Sequence, residues 1–194
     1  MISGSRTWLL QAPWVCALLF AGPVYACLVV SVPDGDTLTL FCDGEQREVD
    51  LDEIDAPELQ QEFGARAQRS LSDMCLRRNA RLLDERTDEE GRTYARVLCD
   101  GVPAAAEQLR RGMAWVAQTH AEDKTLHVAQ NIARHAGHGL WAGEAPVAPW
   151  EWRRVAAAEA EAATRRTVVQ RTPPPPPAEP DNAIVSFFKR LFGR

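Results

Sequence analysis

The sequence is short of positive charge, of clustered metal-binding side chains and of uninterrupted apolar runs, and each shortage excludes something. Its 194 residues carry 22 Lys and Arg against 27 Asp and Glu, a net charge of −5. The deficit is concentrated between Cys27 and Trp150, where 22 acidic residues face 13 basic ones for a net −9. From Glu151 onward the balance reverses, with 5 acidic and 8 basic residues. Tight non-specific binding to nucleic acid draws on positive charge and counterion release, so an acidic body argues against a long DNA-binding surface. It leaves room for a small cleft that holds a phosphate beside bound cations. There is no CxxC pair and no tight His/Cys cluster, which disfavours a zinc site. Pro13 and Pro23 interrupt the most apolar stretch, leaving no clean segment long enough to span a bilayer.

What is present suits one folded domain with appendages. Residues 1–26 read as a signal peptide: Arg6 in a positive n-region, "TWLLQAPWVCALLF" as the apolar h-region, and "VYA" as a small-residue cleavage site before Cys27. Export, to a periplasm or the medium, is the expectation, and "VYAC" also bears a faint likeness to a lipoprotein cleavage box. Setting Cys16 aside leaves Cys27, Cys42, Cys75 and Cys99, and an oxidising compartment makes disulfides plausible. If Asp34-Gly35 is a two-residue hairpin turn, Cys27 faces Cys42, which leaves Cys75 for Cys99. A slip of one residue would undo that, and Cys42–Cys99 stays open.

Along the chain, "CLVVSVPDGDTLTLFCDGEQREVDLDEI" reads as strands with short turns. Val49, Leu51 and Glu53 fall on one strand face and Asp50 and Asp52 on the other, until Pro57 ends the ladder. Residues 62–76, 104–111 and 122–136 carry helical periodicity, the second stopping at Gly112 and the third at "GHG". Residues 79–101 read as two strands around an acidic turn at Gly91. The expected organisation is a domain over 27–150, a polar helical extension over 151–171, a stiff proline-rich linker over 172–180 and a basic amphipathic tail over 181–194. In that tail Ile184, Phe187, Phe188, Leu191 and Phe192 share a helical face. It is either a frayed terminus or a segment that docks on a membrane surface or a protein.

The acidic stretch "VDLDEIDAPE" admits two readings, a solvated rim or part of a hard-cation site. Asp36 opens the strand after Asp34-Gly35 and Asp55 ends the strand entering "APE", so two strand ends could bring oxygen ligands together. Glu58, beyond a proline-stiffened turn, is placed to orient or deprotonate a water. Turn chemistry alone also accounts for Asp34, Asp36, Asp43 and Asp55. Arg92 could stabilise a phosphate or simply pair with Asp88, Glu89 or Glu90.

Six motifs in order sharpen this: "DGDT" at 34–37, "IDAPE" at 54–58, "Q.FG..A" at 61–67, "D..GR" at 88–92, "RRGMAW" at 110–115 and "ARHAGHGLW" at 133–141. Together they resemble the staphylococcal nuclease family over roughly residues 27 to 142, and "APWEWRR" resembles the ending of exported bacterial members. The resemblance implies a mainly β fold, a five-stranded OB-type barrel with three helices. It implies calcium-dependent hydrolysis of DNA or RNA, preferably single-stranded or frayed, by a monomer. Asp36 and Asp55 match the metal carboxylates, Glu58 the residue associated with the attacking water, and Arg92 one of two phosphate-contacting arginines. The other arginine is absent: Asp50 stands in its place and Glu53 stands where the pattern has glycine. Arg47, three residues from Asp50, starts on the opposite strand face. Glu90, Gln118 and His120 occupy positions where tyrosine is common, His120 retaining some capacity to touch a base. The alternative implied by these departures is a catalytically degenerate nuclease-like domain that binds protein, metal or membrane components.

Overall fold

A computed structural model describes residues 27–119, 121–171 and 182–193. The expected signal peptide, the proline-rich linker and His120 therefore lie outside the described residues, whereas the Cys27 sulfur, which a lipoprotein box would lipidate, is bonded to Cys42 instead.

The alternating strands close on themselves. β1 (Cys27–Ser31), β2 (Thr37–Cys42) and β3 (Glu45–Leu51) form an antiparallel meander. A two-residue strand β4 (Ile54–Asp55) follows, then helix α1 (Gly64–Cys75). β5 (Asn79–Thr87) pairs with β1 on one side and with β6 (Thr93–Cys99) on the other. A parallel contact between β3 and β6, Asp50 opposite Tyr94 and Leu51 opposite Ala95, then joins the two ends of the sheet. The result is a closed five-stranded OB-type barrel, mainly β with helices, as the motifs implied. Inward positions fill it: Val29, Leu38, Leu40, Val49, Leu51, Ala80, Ala95 and Val97 are all buried.

Three helices cover the barrel. α1 presents Ala67, Leu71 and Cys75 inward, at the spacing that keeps one helical face on the core. The two-residue β7 (Val102–Pro103) leads into α2 (Ala104–Arg110), and β8 (Trp115–Val116) pairs with β4. α3 (Lys124–Ala136) starts on Asp123, whose carboxylate accepts the Thr125 N–H at 2.8 Å, and ends on Gly137 in the left-handed region. A short 3-10 helix (Gly139–Ala142) places Trp141 edge-on against buried Trp115, ring centroids 5.3 Å apart. Trp141 itself is only half-buried. α4 (Pro149–Arg171) and α5 (Asn182–Phe192) complete the described chain.

The register rewards one sequence argument and corrects its premise. Leu28 faces Phe41 and Val29 faces Leu40, as the hairpin arithmetic required, and Cys27 is bonded to Cys42 and Cys75 to Cys99. Asp34-Gly35 is nevertheless not a two-residue turn. A bulge between Val29 and Ser31 shifts the pairing so that Ser31 faces Thr39, and residues 32–36 form a longer connection. Glu53 also departs from expectation. It does not extend the Val49–Leu51 face but turns at φ 65°, the left-handed region that favours glycine. Its carboxylate accepts the N–H groups of Glu122 and Asp123 at 2.7 and 3.1 Å, which ties this turn to the start of α3.

Candidate active site

The candidate residues come from separate segments and line one cleft of about 410 Å³ at the mouth of the barrel. Asp34, Asp36, Thr37, Asp50, Asp55, Glu58, Arg92, Tyr94, Thr119 and Arg153 all border it.

The Asp34–Asp36 loop is built by close packing. A Cβ on Gly35 would lie 2.7 Å from the Cβ atoms of both Ala56 and Ala67, so only glycine lets the loop sit between the "APE" segment and α1. Gln108 of α2, fully buried, donates to the Gly35 carbonyl at 2.7 Å and to the Ala67 carbonyl at 3.0 Å. Asp34 accepts the N–H groups of Asp36 and Thr37 at 3.1 and 2.7 Å, an Asx turn that aims Asp36 into the cleft. Asp36 in turn accepts the Ala56 N–H at 2.6 Å, joining the loop to the "IDAPE" segment. Burial among protein atoms raises the Asp36 pKa well above the usual carboxylate range, and the charges of Asp34 and Asp55 raise it further.

Asp55 is held at the strand end because Ile54 and Asp55 pair with Val116 and Trp115. Glu58 is held by α1: a Cβ on Gly64 would fall 1.9 Å from the Glu58 carbonyl oxygen, so the glycine of "Q.FG..A" permits this contact. Gln61 reinforces the same turn, its side-chain oxygen 3.4 Å from the Glu58 N–H and its amide donating to the Val147 carbonyl.

Asp50 faces the cleft from β3 and accepts the Thr37 hydroxyl at 2.8 Å. Its pKa is raised, first by burial and also by Asp34, with the Thr37 hydrogen bond pulling the other way. Arg47 does not come to its aid. It points outward and forks onto Glu85 at 2.6 and 3.1 Å. Arg92 borders the cleft while its Nε donates to Asp88 at 2.8 Å, with Glu90 at 4.0 Å. The pairing with the acidic turn is thus present, in a side chain that also lines the cleft.

Sequence reasoning missed Tyr94 and Arg153. Tyr94 stands between Arg86 and Arg92, whose guanidinium carbons lie 4.3 and 5.6 Å from the ring centroid. Its alternation in β6 was visible, but its place beside Asp50 depends on the parallel closure of the barrel. Arg153 lies in "APWEWRR", 98 residues from Asp55, yet its guanidinium reaches Asp55 at 2.7 and 3.1 Å and Glu58 at 2.8 Å. Its pKa is raised, chiefly by the hydrogen bond to Asp55. The only signal for it was the "APWEWRR" segment itself. α4 begins at Pro149, so the expected boundary at residue 150 falls inside a helix whose first turns belong to the site.

Five carboxylates bordering one cleft form a donor set suited to a hard cation, which prefers oxygen ligands. Arg153 shows that this part of the cleft accepts positive charge. Among the described residues, however, no three His, Cys, Asp or Glu side chains are already gathered at metal-holding spacing.

A family model described as "Staphylococcal nuclease homologue" matches residues 48–143. An uncharacterized endonuclease of Haemophilus influenzae is 40% identical over 129 residues, covering 66% of this chain and 72% of that protein. Protein ParB of Escherichia coli is 35% identical over 164 residues, covering 77% and 93%. Micrococcal nuclease of Shigella flexneri is 32% identical over 137 residues, covering 65% and 79%. With its closed barrel, its ordered motifs and these relatives, the chain belongs to the staphylococcal nuclease family.

Proposed function

We propose that this protein hydrolyses phosphodiester bonds of DNA or RNA in a calcium-dependent reaction. The observation that carries the reading is the meeting of Asp36, Asp55, Glu58 and Arg92, from three separated segments, around one cleft. Asp36 and Asp55 would hold the cation, which when bound supplies Lewis-acid polarisation of a phosphoryl oxygen. Glu58 accepts a proton from a water directed at phosphorus. Arg92 donates to the phosphate oxygens as negative charge grows on them. The departing ester oxygen leaves as the new bond to phosphorus forms, and no covalent link to the protein is needed. A cleft of about 410 Å³ walled by charged side chains favours a flexible, single-stranded or frayed chain over a rigid duplex.

The two disulfides suit an oxidising compartment, which supports export. No helix among the described residues is long and apolar enough to cross a membrane. α5 exposes Phe187, Phe188, Leu191 and Phe192 beside Lys189 and Arg190, a composition suited to the surface of an anionic membrane.

The test is digestion of labelled DNA and RNA by the purified protein, with calcium or with chelator. Cleavage should require the cation, and Arg92→Ala should slow it by about a hundredfold. Equal cleavage in chelator, or by the Arg92 variant, would remove the assigned mechanism. A second reading, a degenerate domain that binds without cleaving, rests on Asp50 in the cleft. It is favoured if calcium binds, no cleavage occurs and Asp50→Arg restores none.

A further inference from the structure

The proposed hydrolytic site contains more negative charge than its named residues can manage. Five carboxylates border the cleft against two guanidiniums, a formal charge of −3. A divalent cation lowers this to −1, and the incoming phosphodiester adds another negative charge. Arg92 already shares its charge with Asp88, which its Nε meets at 2.8 Å, and keeps its outer nitrogens for the phosphate. The remaining guanidinium is Arg153.

Arg153 is not a loose tail side chain. Pro149 at the start of α4 is fully buried, Trp152 is half-buried, and Val147 just upstream is bonded by Gln61 from the Glu58 turn. The helix therefore delivers the guanidinium to the cleft from a fixed base. Its side chain is 48% exposed, against 18% for Asp55, so it lies over the carboxylates on the side that solvent and substrate approach. Its donors fork between Asp55 and Glu58, the residues assigned to the cation and to the water. A cation on Asp55 competes for the electrons that now hold Arg153. The planar donors then have one strong new acceptor within the cleft, a phosphate oxygen, and a guanidinium matches that acceptor well.

We propose that Arg153 is a substrate-binding residue, a phosphate-contacting arginine supplied from the C-terminal helix rather than from the barrel. The inference rests on the nuclease reading of the same cleft, and its test includes a readout independent of turnover.

Full-length wild type, Arg153→Ala and Arg153→Lys are compared in two assays with a labelled single-stranded oligonucleotide. In the first, cleavage is followed with calcium. Arg153→Ala should lose about a hundredfold in kcat/KM, and Arg153→Lys, with charge but no fork, should fall between. In the second, equilibrium binding is followed with calcium in the Glu58→Gln background across a range of salt. Loss of one phosphate contact should reduce the slope of log affinity against log salt by about 0.7. A purely structural role would leave that slope unchanged. The proposal is overturned if Arg153→Ala cleaves as fast as wild type or faster, which would make the arginine only a competitor for the cation. It is overturned equally by an unchanged salt slope. If wild type cleaves nothing, the hydrolytic reading falls, while the slope still decides whether Arg153 meets phosphate.

Discussion

Removing the charge of Asp50 should accelerate the enzyme. Asp50→Asn is the clean perturbation, because its amide oxygen can still accept the Thr37 hydroxyl that Asp50 accepts at 2.8 Å, and its volume is unchanged. What disappears is a carboxylate on the wall of the cleft proposed to receive the phosphate. Two unit charges about 6 Å apart at an effective dielectric near 20 repel by about 3 kcal/mol. With a Debye length of about 8 Å at physiological salt, roughly half of that survives in an open cleft. About 1.4 kcal/mol is a factor of ten in rate. Asp50→Asn should therefore raise kcat/KM about tenfold. Asp50→Arg, which reverses the sign, should gain more despite losing the Thr37 bond. The assay is initial-rate cleavage of a labelled single-stranded oligonucleotide at several salt concentrations, and the gain should shrink as salt rises. A change of less than about twofold at low salt would refute the electrostatic reasoning. A fall in rate would show that Asp50 is a working member of the site.

Asp36 has a raised pKa in the fold, so the native state holds that proton more tightly than the unfolded chain does. The stability linked to that proton is complete below the unfolded value of about 3.9 and is lost as pH rises through the higher folded value. In chelator at neutral pH, Asp36→Asn should therefore melt at a higher temperature than wild type, with the advantage vanishing near pH 3.5. Calcium at about a hundredfold excess over Kd should stabilise wild type by about 2.7 kcal/mol and the Asn variant much less, as read by thermal melts. Gly64→Ala puts a Cβ 1.9 Å from the Glu58 carbonyl oxygen, against backbone that cannot yield cheaply. It should cost about 1–3 kcal/mol by denaturant melt, and the surviving folded protein should lose activity because the Glu58 turn is displaced.

The local pattern of the sequence carried most of the barrel and little of the cleft's wider circuitry. Alternation and turn residues located the strands, and the facing of Leu28 with Phe41 extended correctly to the Cys27–Cys42 bond. The bulge after Val29 was invisible because Ser31 and Val32 fit a strand on either register. Glu53 was misplaced for a related reason: an acidic residue gives no signal of φ 65°, and its capping of residues 122–123 is made across 69 residues of chain. That Asp36, Asp55, Glu58 and Arg92 would line one cleft was legible through ordered motifs. Arg153 was not, because a guanidinium in a polar helix has no periodicity that names a partner 95 residues away.

The most direct measurement is single-turnover cleavage of labelled single-stranded DNA by wild type and Glu58→Gln, with calcium and with chelator. The account expects wild type to cleave only with calcium and Glu58→Gln to be slower by about a hundredfold or more while still binding the strand. Cleavage by Glu58→Gln at the wild-type rate would contradict it.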